Sequence, residues 1–174
     1  MKILALELSS ARGSIAWLAK NAEPFDRIFS NDRKHSGLFF ENLRLCWQHF
    51  GSPDCIAVGI GPGSYAGTRI AIAAALGLRS ASEAKLIGLP SICAIETVAC
   101  EYGVIGDARR QSFFFARIRD GKILEGPSLH SAAELEVLIT ESSLPIYAAE
   151  KLSQFPGALL AFPSARRLAE IARD

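Results

Sequence analysis

A glycine-rich segment between two apolar segments constrains the fold more than any other feature of this sequence. Residues 59–69 read Gly-Ile-Gly-Pro-Gly-Ser-Tyr-Ala-Gly-Thr-Arg, and they follow a strand-like stretch at 55–59. An uncharged apolar stretch, residues 70–78, comes next. Glycines permit positive φ values and close backbone approach, and Ser64 is suited to cap a helix predicted over residues 65–81. This order predicts a strand, a tight turn and a helix, as in α/β proteins.

The order of predicted elements recurs along the chain. The first half reads as three strands, then helix, strand, helix, strand and helix, over residues 3–8, 14–18, 25–29, 36–50, 55–59, 65–81, 86–88 and 91–101. The second half reads as three strands, then helix, strand and helix, over residues 104–107, 112–118, 122–124, 132–140, 146–148 and from 164 onwards. An acidic residue ends the first strand of each half, Glu7 and Asp107.

This recurrence predicts an internal duplication, with one subdomain at 1–103 and a shortened one at 104–174. Two β-β-β-α-β-α subdomains form the architecture of the actin, hexokinase and Hsp70 (ASKHA) superfamily. Proteins of that superfamily bind nucleotide in a cleft, and the acids after each first strand help to hold its metal. Two instances of a generic hairpin would give a similar pattern, so the sequence alone leaves that alternative open.

Composition and charge exclude several classes of protein. With 49% hydrophobic and 21% charged residues, the chain has the profile of a soluble globular domain. Its net charge of +1 gives no global attraction to nucleic acid or to an anionic membrane. No uncharged stretch reaches the roughly twenty residues of a membrane span. We therefore expect a cytoplasmic protein without a membrane partner.

The four cysteines show no metal-binding or disulfide pattern. Cys46, Cys55, Cys93 and Cys100 form no CxxC pair and have no regular spacing. We expect all four to be small buried hydrophobic residues in a reducing compartment.

Several strings of the sequence resemble the TsaB (YeaZ) family of bacterial accessory subunits, which take part in making N6-threonylcarbamoyladenosine in tRNA. The string GIGPGSYAGTRIAIAAALGL, preceded by CIAV, resembles the family signature. The opening MKILALELSS resembles the family's first strand and turn, with Glu7 where members usually carry Asp. His35-Ser36 and Gly106-Asp107-Ala108-Arg109 also fit, and the resemblance covers roughly residues 1–120.

The resemblance implies a protein without catalytic residues. TsaB proteins are similar to the catalytic subunit TsaD, which carries a metal-binding HxxxH on the helix after a Leu-Ile-Gly strand. Ser91 and Ile95 stand here where those two histidines would be, and neither supplies an imidazole. The three histidines of the chain, His35, His49 and His130, have no second histidine at i+4. We expect no metal and no cofactor.

A weak nucleotide or anion site is the remaining ligand hypothesis. The candidate residues are Glu7, Gly61, Gly63, Ser64 and Asp107. Backbone N–H groups of the glycine segment and the start of the following helix suit an anion, and the two acids suit the metal of a nucleotide. The alternative is that both acids accept hydrogen bonds from turn amides and that Asp107 pairs with a neighbouring arginine. Vestigial binding of ATP and Mg²⁺ therefore stays open.

Two predicted helices carry more apolar surface than packing on one face of a sheet would bury. In the helix 36–50, the broad apolar stripe that should pack on the sheet consists of Phe39, Phe40, Leu43, Cys46, Trp47 and Phe50. A second seam lies on the opposite side and consists of Leu38, Asn42, Leu45 and His49. The helix 65–81 is apolar all round over residues 70–78, and this stretch adds Ala71, Ala74, Ala75 and Leu78. These residues are buried beneath the second subdomain or form an interface, and the resemblance to TsaB favours the interface.

The resemblance therefore implies a noncatalytic subunit that binds a TsaD-like threonylcarbamoyltransferase through these two helices. It also implies a homodimer when that enzyme is absent, with a TsaE-like ATPase as a further candidate partner and tRNA contacted at most indirectly. Two enzymatic alternatives remain. One is a small ATP-dependent phosphotransferase or ATPase that uses the two acids and the glycine segment, and the other is an M22-type metallopeptidase.

Overall fold

The computed structural model describes residues 1–20, 23, 25–31 and 36–174. Two compact units divide them: the first unit joins Met1–Ile95 to Pro163–Asp174, and the second is Glu96–Phe162. The predicted division at 103/104 therefore differs from the observed one in two places. The second sheet begins earlier than its apolar residues suggested, at Glu101. The last helix belongs to the first unit because its apolar side packs on the first sheet.

A five-stranded mixed sheet forms the centre of the first unit. Its strand order is β3-β2-β1-β4-β5, with the first three strands antiparallel and β4 and β5 parallel to β1. The strands are β1 (Ile3–Glu7), β2 (Arg12–Leu18), β3 (Phe25–Ser30), β4 (Cys55–Gly59) and β5 (Lys85–Leu89).

Helices cover both faces of this sheet. Because strand residues alternate between faces, Leu4 and Leu6 contribute to one hydrophobic cluster, and Ile3 and Ala5 contribute to another. The first cluster is covered by α1 (Ser36–Phe50) and α2 (Tyr65–Ser80), and the second by α4 (Ala165–Arg173). In the core under α1, Trp17 stacks on Phe50 with 5.1 Å between ring centroids.

The predicted helix over residues 91–101 is wrong. Only a 3₁₀ helix forms there, at Ser91–Ala94. Ile95 then adopts an extended conformation, with φ −58° and ψ 131°, and forms a β-bridge with Pro163. Tertiary pairing of the backbone thus overrides the helical pattern of the sequence.

The second unit repeats the sheet topology of the first. Its order, β10-β9-β6-β7-β8, is that of the first sheet when the strands are counted from β6. The strands are β6 (Glu101–Arg109), β7 (Ser112–Arg119), β8 (Lys122–Ser131), β9 (Ile146–Ala148) and β10 (Leu159–Leu160). One helix, α3 (Ala132–Glu141), packs on the sheet and starts with a capping box formed by Ser131 and Glu134. The repeated topology confirms the predicted duplicated ASKHA-like fold, with a shortened second half.

Three of the four cysteines are buried as predicted, but Cys100 is exposed. It immediately precedes β6 and lies outside the hydrophobic clusters of its unit. Burial raises the pKa of the Cys46 thiol to about 12 and that of Cys93 to about 11.

In the part of the chain that the structure describes, none of the helices combines the length and the apolar character needed to cross a membrane.

Candidate functional site

The glycine segment bends tightly around the chain that leaves β1. A Cβ atom added to Gly67 would lie 2.0 Å from the carbonyl oxygen of Leu8, and one added to Gly63 would lie 2.2 Å from that of Ser9. The Ser64 N–H also donates to the Ser9 carbonyl oxygen at 2.6 Å. Glycine is therefore required at 63 and 67 because backbone from the β1–β2 turn fills the space that side chains would need.

Two of the N–H groups that suggested an anion cradle, those of Gly61 and Ser64, donate hydrogen bonds within the protein. The Gly61 N–H donates to Ser91 Oγ at 3.0 Å, and the Ser91 N–H donates back to the Gly61 carbonyl oxygen at 2.8 Å. Ser64 caps α2, its Oγ accepting a hydrogen bond from the Gly67 N–H at 3.2 Å. The two bonds between Gly61 and Ser91 join the glycine segment to the 3₁₀ helix. Anion binding at Gly61, Gly63 and Ser64 stays a prediction.

Glu7, the first of the two acids predicted to face a ligand, is buried inside the first unit. Its side chain is fully buried, and its Oε1 accepts a hydrogen bond from the Ser9 N–H at 2.6 Å. Its Oε2 accepts no hydrogen bond within the described part of the chain. A Cβ atom at Gly59 would lie 1.9 Å from Oε2, so the glycine makes room for the carboxyl group. The buried carboxyl group thus offers no surface that a ligand could contact in this structure.

Burial raises the pKa of the Glu7 carboxyl group above its ordinary value, and hydrogen bonds from Ser9 oppose this shift only in part. The folded state therefore holds the proton of Glu7 more tightly than the unfolded chain does. We expect the free energy of unfolding to fall as pH rises through the interval between these two pKa values. Glu7→Gln should remove this loss and make the protein more stable than the wild type at neutral pH. Urea denaturation between pH 4 and pH 8 measures the effect.

Exposed Glu83, also in the first unit, provides the control for this substitution. Glu83→Gln should give a stability profile parallel to that of the wild type. Parallel profiles for Glu7→Gln and the wild type would contradict the inferred desolvation of Glu7.

Asp107, the second predicted acid, lies in the second unit and is partly exposed. Its Oδ1 accepts a hydrogen bond from the Arg109 N–H at 2.6 Å, and its Oδ2 lies 3.6 Å from the Arg109 guanidinium. The Asp107 N–H donates to Glu150 Oε1 at 3.2 Å. These contacts agree with the alternative of turn hydrogen bonds and an arginine pair, while a role towards a nucleotide stays a prediction.

The second seam of α1 faces solvent. Leu38 and Leu45 are 37% and 49% exposed, and the Asn42 side chain donates to the Leu38 carbonyl oxygen at 2.7 Å. His49 is exposed and packs its ring edge-on against Phe50. The four predicted seam residues thus share the outer side of the helix. Phe40, predicted to pack on the sheet, is instead 52% exposed, since it lies at the edge of the stripe.

Two of the interface residues predicted on α2 are wrong. Ala71 and Ala75 are fully buried and pack in the core above β1 and β4, so they cannot contact a partner. Ala74 and Leu78 are half-buried at the edge of the same core. Small residues at positions 67, 71 and 75 allow the helix to approach the sheet closely.

The outer side of α2 consists of residues that the sequence pattern did not indicate. They are Tyr65, Ala66, Arg69, Ala73, Leu76 and Gly77. Tyr65 and Leu76 are 70% and 47% exposed, and the Arg69 guanidinium stacks on the Tyr65 ring at 3.8 Å from its centroid. The middle of the helix is apolar all round, so its pattern did not indicate which side faces the sheet. The i, i+4, i+8 spacing of Gly67, Ala71 and Ala75 is the signal that would have supplied it.

We call the outer residues of these two helices the α1–α2 surface. Asn42 is half-buried, and the exposed members are Leu38, Leu45, His49, Tyr65, Ala66, Arg69, Ala73, Leu76 and Gly77. Both helices cover the same face of the first sheet. The surface is mainly apolar, with Arg69 as its fixed positive charge. Exposed apolar surface of this kind is typical of protein interaction sites.

The structure describes two of the three histidines and both residues at the HxxxH positions. His35 lies outside the described residues. Ser91 and Ile95, at the positions of the HxxxH histidines, are both buried, with 0% and 1% exposure. The His130 Nε2 lies 2.7 Å from Ser128 Oγ at the end of β8. The expectation of no metal stays a prediction.

Comparisons with known proteins agree with this fold. The solved structure of YeaZ from Pseudomonas aeruginosa matches 99% of this chain and 91% of that one, with a TM-score of 0.80 and 19% identity. An uncharacterized Pseudomonas aeruginosa protein described as similar to peptidase YeaZ gives a TM-score of 0.79 at 22% identity, over 99% of this chain and 90% of that one.

Two sequence relatives come from mycobacteria. An uncharacterized Mycobacterium leprae protein is 30% identical over 55% of this chain and 28% of its own length. An uncharacterized Mycobacterium tuberculosis protein is 34% identical over 48% of this chain and 40% of its own length. The chain thus matches less than half the length of these curated relatives.

The family model described as TsaD, tRNA N6-adenosine threonylcarbamoyltransferase, matches residues 41–168, well over half of the chain. This match and the YeaZ-like fold confirm the relation to the TsaB and TsaD proteins that the glycine segment predicted. The chain therefore belongs to the TsaD family and has the fold of its YeaZ (TsaB) members.

Proposed function

We propose that this chain is a noncatalytic accessory subunit in tRNA N6-threonylcarbamoyladenosine formation. In this role it binds a TsaD-like threonylcarbamoyltransferase through the α1–α2 surface and stabilises the active conformation of that enzyme. A second copy of the chain covers the same surface when the enzyme is absent. The observation that carries the proposal is the exposed apolar side of both helices.

The composition of the α1–α2 surface supports a protein partner. Leu45 and Leu76 offer aliphatic contact area, and Tyr65 and Arg69 are of the residue types enriched at binding hot spots. A Cβ atom added to Gly77 would meet no heavy atom within 4 Å, so a partner helix has room to approach there. Such a surface on a water-exposed helix is unfavourable unless a partner covers it.

The closed state of the Glu7 region supports a noncatalytic role. The carboxyl group that would face the metal of a nucleotide is buried against Gly59, and the Gly61 N–H is bonded to Ser91. A group that acts on a substrate must be able to reach it. Opening this region would require separating the β1–β2 turn from the glycine segment, since the Ser64 N–H donates a hydrogen bond to the Ser9 carbonyl oxygen of that turn.

A pull-down from the cytosol of the native organism tests the proposal. The tagged chain should capture a TsaD-like protein in near-equal amount, as measured by quantitative mass spectrometry. The matched control carries Leu45→Glu and Leu76→Arg, which place charges on the exposed side without touching the core. Equal capture by the chain and by this control would contradict the proposed interface.

Calorimetry with Mg-ATP separates the proposal from the phosphotransferase or ATPase alternative. Because Glu7 is buried, we expect the isolated chain to show no heat of binding and no ATP turnover up to millimolar nucleotide. Micromolar affinity that is lost in Asp107→Asn would favour the enzymatic alternative. Elemental analysis of the purified protein addresses the metallopeptidase alternative, for which one zinc or iron per chain would be the supporting result.

A further inference from the structure

We propose that a groove on the second unit docks a basic amphipathic helix of a protein partner, separately from the α1–α2 surface. The groove runs between α3 and the segment that joins β9 to β10, and its volume is about 460 Å³. Its lining is mainly apolar and includes Glu136, Ile139, Leu144, Ile146, Phe155 and Leu159.

The internal duplication indicates what fits this groove. In the first unit, the connection between the fourth and fifth strands of the sheet is α2, which packs on that sheet beside α1. In the second unit, the corresponding connection, residues 149–158, contains no helix. The groove lies beside α3, the counterpart of α1, where the second helix of this layer is missing. A helix supplied by another protein would restore the layer.

The floor of the groove consists of apolar side chains. Ile146 and Phe155 are buried members of the hydrophobic cluster under α3, and Ile139 packs against the same cluster. Leu159 at the rim is 52% exposed. A helix that inserts apolar side chains at i, i+3 and i+4 would cover this surface, as in other helix-in-groove interfaces.

Charge selects a basic helix over an acidic one. Glu136 is the charged residue of the groove lining. Helix α3, which carries Glu136, has no lysine or arginine in its sequence. A lysine or arginine residue flanking an apolar helix face would lie close to the Glu136 carboxylate and would increase the association rate and the specificity.

A designed peptide tests the groove in the full chain. The probe is a fluorescein-labelled helix of about 18 residues made of Leu, Ala and Lys, with an apolar stripe on one face. Its twin carries Glu in place of each Lys. Fluorescence anisotropy should show saturable binding of the Lys peptide and at least about tenfold weaker binding of the Glu twin. Glu136→Lys should weaken binding of the Lys peptide.

Two variants locate the binding. Leu159→Lys changes an exposed side chain at the rim of the groove, so it should preserve the fold while weakening binding of the Lys peptide about tenfold or more. Leu76→Arg lies on the α1–α2 surface and should leave this binding unchanged. Circular dichroism verifies that both variants are folded.

Three results would overturn the inference. The first is equal binding of the two peptides, and the second is binding that survives Leu159→Lys or disappears in Leu76→Arg. The third is self-association of the wild type that Leu159→Lys abolishes in sedimentation, since the occupant would then be a second copy. None of these results bears on the proposed binding of a TsaD-like enzyme, because that surface lies on other residues.

Discussion

Gly67→Ala is expected to destabilise the first unit by about 3 kcal/mol or more, which is a large part of the stability of a typical domain. The added methyl carbon would lie 2.0 Å from the Leu8 carbonyl oxygen. A backbone oxygen cannot rotate away as a side chain can, so β1 and α2 would have to separate. Urea denaturation followed by tryptophan fluorescence measures the loss, since both tryptophans, Trp17 and Trp47, lie in the first unit.

Gly77→Ala is the matched control in the same helix. A methyl group there meets no heavy atom within 4 Å, and alanine is the better helix former. We expect this variant to be as stable as the wild type or more stable by about 0.5–1 kcal/mol. Equal stability of the two alanine variants would contradict the close approach of α2 to the turn after β1.

The combination of Leu45→Glu and Leu76→Arg is expected to weaken the complex with a TsaD-like enzyme by at least about 100-fold. Each substitution replaces an exposed apolar side chain with a charge that would lose its water in the interface. Both side chains are about half exposed, so the fold should persist. Isothermal titration calorimetry with the purified enzyme measures the affinity, and thermal denaturation verifies the fold.

Leu129→Arg controls for the general effect of replacing an exposed leucine with a charge. Leu129 is 71% exposed on β8, in the second unit. We expect this variant to bind the enzyme with the affinity of the wild type. An equal loss in Leu129→Arg and in the double variant would indicate a nonspecific effect and would argue against the α1–α2 surface.

Local signals were sufficient to predict most of the fold. The Ser64 cap and the apolar stripes placed α1 and α2 within a residue of their observed bounds. The repeated strand order predicted the two sheets because three consecutive strands and a following helix leave few alternatives for pairing. The helical pattern of residues 91–101 failed because the β-bridge between Ile95 and Pro163 depends on residues distant in sequence.

The candidate site was less predictable than the fold. The seam on α1 lies on the outer side of the helix as predicted, because polar residues on that side indicate which side faces the sheet. Its role as an interface stays a prediction. On α2, Ala71 and Ala75 were assigned to the wrong side, since a helix without polar residues in its middle has no such reference. The burial of Glu7 could not be predicted either, because it depends on Gly59 and Ser91 meeting at the end of β1.

Reconstituted tRNA modification is the most direct test of the proposed accessory role. The assay measures N6-threonylcarbamoyladenosine formed in tRNA by the purified TsaD-like enzyme and its other required components. We expect formation to depend on the wild-type chain and to be lost when the variant with Leu45→Glu and Leu76→Arg replaces it. Full activity with the double variant, or formation of the product by this chain without the TsaD-like enzyme, would contradict the proposal.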